Sequence, residues 1–287
     1  MSIWDALAGP FIEFGFMRRA LVGVLALALG GGPIGTLLIL RRMSLMGDAL
    51  SHAVLPGVAL GFLVGGLSLP AMTLGGFAAG LFVALASGLV ARLTPLREDA
   101  SFAAFYLFSL ALGVMLVSLR GSNVDLLHVL FGTILSIDDA ALILIAGVAT
   151  ITLLALAVLY RPLLLECFDP LFLRSLGGAG GMIHAGFLAL VVLNLVAGFQ
   201  ALGTLMAVGL MMLPAASARF WARQVWSLAA VSIVLALIAG YVGLLLSYYW
   251  ALPSGPAIIV AAGVLHLVSI AVGPHQSLLM RYRSRAG

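Results

Sequence analysis

The sequence predicts an all-α polytopic membrane protein, and three observations carry that prediction. The 287 residues are 63% hydrophobic and only 8% charged, with a mean hydropathy of +1.24. That leaves too little polar surface to coat a soluble domain. Apolar runs at or beyond the ~18 residues of a spanning helix recur along the chain, whereas a membrane barrel would alternate over strands of ~10 residues. The charges that remain gather mostly at the ends of those runs.

Taken in order, the first residues, MSIWDALAGPFIEFGF, carry Asp5 and Glu13 and lack a basic stretch before a short apolar core. Residues 1–16 therefore read as an amphipathic helix at the interface rather than a signal peptide. Apolar spans follow at about 18–40, 44–66, 70–92, 100–119, 138–160, 181–200, 203–221, 226–248 and 256–273, which makes eight or nine crossings. The segment 122–136 is too short and polar to cross and reads as a re-entrant or surface helix. Asp138 and Asp139 suit an N-cap and first-turn charge for the fifth span. Pro33, Pro56 and Pro214 lie inside spans and are expected to kink or break them. Gly31 and Gly35, Gly57 and Gly61, and Gly76 and Gly80 repeat at four-residue spacing, as close helix packing requires.

All fourteen basic residues are arginine. With the turn after the first span inside, eleven of them face the cytoplasm, and Arg18, Arg19 and Arg120 face out. This bias puts the N-terminus outside and the C-terminus in the cytoplasm. Tyr248, Tyr249 and Trp250 then form an outer aromatic belt, and Trp221 and Trp226 an inner one. Scattered at span ends, the arginines make no nucleic-acid footprint. The single cysteine, Cys167, excludes an intrachain disulfide and a thiolate metal cluster. The longest inner loop, 160–181, has an amphipathic centre at 163–176, read as a short helix lying on the cytoplasmic surface, with Gly177 and Gly178 as its stop.

The residues that carry chemistry are Asp48 and His52, within RRMSLMGDALSHAVLPGVALGFLVGG. Four-residue spacing puts both on one helix face, roughly 6 Å apart at Cβ. Counted from Arg41 and Arg42 at the surface, they lie about 9 and 15 Å deep. Ionisable groups at that depth are costly and usually functional, and a carboxylate with an imidazole can hold a divalent transition metal. The bland alternative is Asp48 neutralising a protonated His52 to join two helices. As ligands the pair would bind more weakly at low pH, because His52 must be neutral and Asp48 ionised. Ser51 points to another face. Pro56 withholds the backbone donor aimed at the His52 carbonyl. His184 and His266 read as hydrogen-bonded packing residues, and His275 as a partner for a helix C-terminus. His128, near Asp125, reads as a surface residue with a possible entrance role, and Cys167 as packing.

MSLMGDALSHAVLPGVALGFL resembles the hallmark of the ABC-3 permeases, the membrane subunits of ABC importers for manganese, zinc and iron. FDPLFLRSLGG at 168–178 resembles the family's cytoplasmic coupling segment, GTLMAVGLMMLPAASAR at 203–219 its late proline-containing span, and GLLLSYYWALPSGPAIIVAAG at 243–263 its last hairpin. Phe172 and Leu173 depart from the smaller residues expected there. The resemblance implies a type II-like importer permease that works as a homodimer on two copies of a separate ATPase. An extracytoplasmic metal-binding protein would deliver the ion. It places Asp48 and His52 at the metal, two donors per copy, and Glu166, Phe168, Asp169, Pro170, Arg174 and Gly177 at the ATPase contact. It implies a bacterial inner-membrane location, no permanent cofactor and Zn2+, Mn2+ or Fe2+ as cargo. MRRALVG at 17–23 and LRGSNVDLLHVLFGTIL at 119–135 look most like a zinc-importing branch. No Gly-x-x-x-x-Gly-Lys-Ser/Thr loop is present, so the chain is not expected to hydrolyse ATP. The rival readings are a proton-coupled secondary transporter, an intramembrane metalloenzyme, and a permease for a metal chelate or corrinoid.

Overall fold

The computed structural model describes residues 3–66, 68–96, 98–119, 137–169, 173, 180–280 and 282. Among them every regular element is a helix. α1 (Ile3–Glu13) lies against α10 (Val225–Trp250). Phe11 stacks on Tyr241 with ring centroids 5.0 Å apart. The hydroxyls of Tyr241 and Tyr249 donate to the carbonyls of Leu7 and Ala6, while Trp4 and Ile12 face outward.

α2 (Gly15–Leu40) is the buried axis of the bundle. Its 26 residues span about 39 Å at 1.5 Å per residue, more than a bilayer core. Its sequence supplies small residues on all sides, so α7, α8, α9 and α10 can all pack on it. It ends in a tight reversal. Arg42 N–H donates to Ile39 O (3.1 Å) and Met43 N–H to Leu38 O (2.9 Å), with Arg42 in the left-handed region at φ 60°. That is the Schellman arrangement, normally built on glycine, and a side chain there costs about 1 kcal/mol.

The reversal leads into α3 (Ser44–Ala53), which stops at Val54, and α4 (Leu55–Gly65) restarts at once. The 44–66 span is therefore a broken helix. α4 packs on α5 (Leu69–Leu93) with almost nothing between the backbones. A Cβ on Gly57 would collide with the Gly75 carbonyl oxygen, and one on Gly61 with that of Ala71. α6 (Glu98–Leu119) is tied to α5 by Ser101 Oγ donating to Ser87 O (3.0 Å). α7 (Asp139–Phe168) starts on its Asp138 cap, whose carboxylate accepts from Ala141 N–H at 2.8 Å. Asp139 pairs with Arg19 (3.3 Å), so α2 and α7 begin at the same end. α8 (Gly180–Leu202) meets α7 through Asn194 Nδ2 donating to Thr152 Oγ1 at 2.7 Å, both side chains buried. α9 (Thr204–Ala218), α10 and α11 (Ser254–Val272) complete the bundle.

Helices stand at each of the nine expected apolar segments. Among the described residues seven are long and apolar enough to cross a membrane, and the two shorter ones are Ala100–Leu116 and Thr204–Ala218. The apolar core has two lobes. One joins α3, α8 and the second half of α2, and the other joins the first half of α2 to α10 and α11. Two details sharpen the expectation. Of the three prolines inside spans, Pro33 and Pro214 lie in continuous helices and Pro56 marks a helix boundary. Residues 163–168 continue α7 through Pro162 instead of opening a separate helix, because no partner or glycine stops the helix before Phe168. Most of 169–179, and all of 122–136, lie outside the described residues.

Candidate metal-binding site

α3 is ten residues long and amphipathic in an unusual sense. Met46, Ala49, Leu50 and Ala53 are buried, and Gly47 lets Met212 of α9 approach to 2.5 Å of where its Cβ would be. The remaining face carries Asp48 and His52. Their side chains are 72% and 33% exposed, so the pair opens away from the core of the protomer. His52 Nε2 and Asp48 Oδ1 are 3.9 Å apart, too far for a hydrogen bond. Two donors on one tetrahedral cation lie about 3.4 Å apart, so a side-chain rotation of about 0.5 Å would bring these two onto one ion. His52 Nδ1 is buried without a hydrogen-bond partner. Among the described residues no second residue holds the ring through that nitrogen, as one normally does for a ligating imidazole.

The break beyond His52 is built by three elements. Pro56 has no N–H to offer the His52 carbonyl. The N–H groups of Gly57 and Val58 both turn to Val54 O, at 3.1 Å each. Ser109 Oγ of α6 donates to Ala53 O (2.9 Å), and Gly113 of α6 lets its backbone lie against Leu55 and Pro56. Ser51 is buried and donates to Asp48 O at 2.6 Å, so it is no ligand. Among the described residues no group of three or more His, Cys, Asp or Glu side chains converges. The described residues thus bring two candidate donors together.

Of the residues expected at the ATPase contact, Glu166, Phe168 and Asp169 stand at the end of α7. The Glu166 carboxylate lies beside Gly180, at the start of α8, and Phe168 is exposed. Asp169 ends α7, its N–H donating to Leu165 O at 2.8 Å. Pro170, Arg174 and Gly177 lie outside the described residues, as do His128 and Asp125. His266 Nδ1 meets Ser217 Oγ at 2.9 Å and His184 Nδ1 meets Arg41 at 3.0 Å, both packing roles. His275 does reach a helix-end carbonyl, but with its backbone N–H, on Phe220 O.

Sequence reasoning missed Arg41. Its Nε donates to Cys167 Sγ (3.1 Å), and its guanidinium lies 4.3 Å over the Phe187 ring. These partners are 126 to 146 residues away in sequence, and no local pattern announces them.

The chain is 35% identical over 264 residues to "Manganese import system permease protein ScaB" of Streptococcus parasanguinis, covering 92% of this chain and 93% of that one. It is 32% identical over 272 residues to "Manganese transport system membrane protein MntC" of Halalkalibacterium halodurans, covering 94% and 92%. The solved structure "PsaBC from Streptococcus pneumoniae in complex with Fab" superposes with a TM-score of 0.84 at 31% identity, covering 98% of this chain and 99% of that one. Residues 13–273 match the model of the ABC 3 transport family, and the chain belongs to that family.

Proposed function

We propose that this chain is the membrane permease of an ATP-driven importer of divalent transition-metal ions, with manganese as its principal cargo. It is a multi-pass protein of the bacterial inner membrane and a transport subunit, not an enzyme. The observation that carries the reading is the Asp48–His52 pair, on a broken helix inside an apolar span and turned away from its own core. Such a pair is half a coordination shell. A second copy, related by a two-fold axis, completes it with two carboxylates and two imidazoles. The arginine-rich ends of the helices face the cytoplasm. There the α7–α8 corner, with Glu166, Phe168 and Asp169, meets a separate ATPase dimer, and an extracytoplasmic binding protein loads the opposite face.

The sequence pattern leaned to zinc, but the two named relatives are manganese proteins. The chemistry accommodates the change, because carboxylate and water donors suit Mn2+, and imidazole accepts either ion. The test is uptake of labelled manganese and zinc by the reconstituted complex. Asp48→Asn and His52→Ala should each lower manganese uptake at least about tenfold, the scale of losing a ligand or its support. Unchanged uptake in both would overturn the site. Zinc carried in preference to manganese by the parent would return the cargo to zinc. Uptake that survives loss of the ATPase but collapses with the proton gradient would make the chain a secondary transporter.

A further inference from the structure

At the arginine-rich end, a cavity of 260 Å³ opens between the ends of α2, α9 and α10 and the segment after α11. Leu40 and Leu228 form its apolar floor, and Arg219, Arg223, His275 and Gln276 its polar wall. Local folding assembles that wall. Arg219 caps α9, and the following turn is closed by Phe220 N–H to Ser217 O (3.0 Å) and by Trp221 and Ala222 N–H to Ala218 O. This brings Arg223 round beside Arg219. His275 is pinned to the same turn by its N–H donating to Phe220 O at 3.0 Å.

Among the described residues no acidic side chain lines the cavity. Among the described residues the two arginines make no ion pair, and His275 Nδ1 is buried without a partner. Two permanent cations and an unbonded ring nitrogen around one hollow form a site that wants an anion. Its position says which kind. Trp221 and Trp226 flank it and are 41% and 64% exposed, as rings at headgroup level are. An apolar floor beside a basic wall accepts a phosphodiester with its glycerol and leads the acyl chains toward the bilayer.

We propose that Arg219, Arg223 and His275 bind the phosphate headgroup of an anionic phospholipid, as basic pockets between helix ends do. Inorganic phosphate shares the chemistry, and the experiment separates the two. It uses the full-length chain in nanodiscs that carry phosphatidylglycerol in both leaflets, so it does not depend on the orientation proposed above. Lipid retained after release is counted by native mass spectrometry. The parent should retain phosphatidylglycerol over phosphatidylcholine, and R219Q/R223Q should lower that retention about thirtyfold, from about fivefold per charge. R219K/R223K should restore most of it. R161Q, which removes an exposed arginine near the end of α7, should change nothing. If R219Q/R223Q does not run as a folded species, H275A carries the test with a smaller loss of the same sign. Equal retention of the two lipids by the parent, or equal loss in R161Q, would overturn the proposal. So would displacement of the lipid by millimolar inorganic phosphate, or by the ATPase subunit when it is added.

Discussion

Pro33 and Pro56 present the backbone with the same problem and receive opposite answers. Each lacks an N–H, so the carbonyl four residues earlier loses its helical partner. α2 nevertheless runs unbroken through Pro33, while the chain at Pro56 divides into α3 and α4. The surroundings explain the difference. Near Pro33, Gly35 lies against the Met211 backbone of α9, and Gly32 against Ser232 and Ile233 of α10. Thr36 Oγ1 donates back to Gly32 O at 2.9 Å. Helices pack closely on two sides of α2 there. Near Pro56 the neighbour does the reverse. α6 presents Ser109 to the loose Ala53 carbonyl and clears space with Gly113, so the broken form is hydrogen-bonded and packed. A proline offers a break, and the elements around it accept or refuse. The accepted break falls two residues after His52 and makes the helix that carries Asp48 and His52 a short unit separate from α4.

The comparison breaks most readily at Pro56→Ala. The new N–H can reach the His52 carbonyl and favours one continuous helix, which would turn the Asp48–His52 face. Manganese uptake in reconstituted complexes should fall about tenfold, with no loss of folded protein. Uptake near the parent's would mean that the break is incidental to the site. Ser109→Ala tests the acceptor side. It strands the Ala53 carbonyl and should cost about 0.6 to 1.7 kcal/mol, the range of interhelical bonds in membranes. A melting curve in detergent would read this as a drop of about 1–7 °C, and an unchanged midpoint would show that the hydroxyl is not needed there. Pro33→Ala should do least. It adds a donor to a helix already continuous, so stability should move by less than about 0.5 kcal/mol, with uptake unaltered. A large change in uptake would show that Pro33 matters to transport as much as Pro56 does.

These prolines also mark how far the residues alone could be read. Hydropathy located all nine apolar segments, because the length and composition of a span are local properties. Asp138 was legible as a cap because its role depends on a residue three positions away. Asp48 and His52 were legible as a pair for the same reason, one helical turn apart. Whether Pro33 or Pro56 would break its helix depended on Met211, Ile233 and Ser109, which no periodicity connects to them. Arg41 was read only as a surface marker, since Cys167, His184 and Phe187 are brought to it by tertiary packing. The zinc-like appearance of 17–23 and 119–135 rested on family likeness and not on a ligand set that distinguishes zinc from manganese. Residues 120–135 lie outside the described residues, so the likeness rested on sequence pattern alone.

The guanidinium of Arg41 touches the last turn of α7 through Cys167 and the first turns of α8 through His184 and Phe187. Its own backbone lies three residues before Ser44, the first residue of the helix that holds Asp48 and His52. Like a cotter pin, that one side chain fastens the corner where, on the proposed function, a motor would push to the stalk of the proposed cation seat. A single arginine and three peptide links join one to the other, beside the direct packing of α8 on α3.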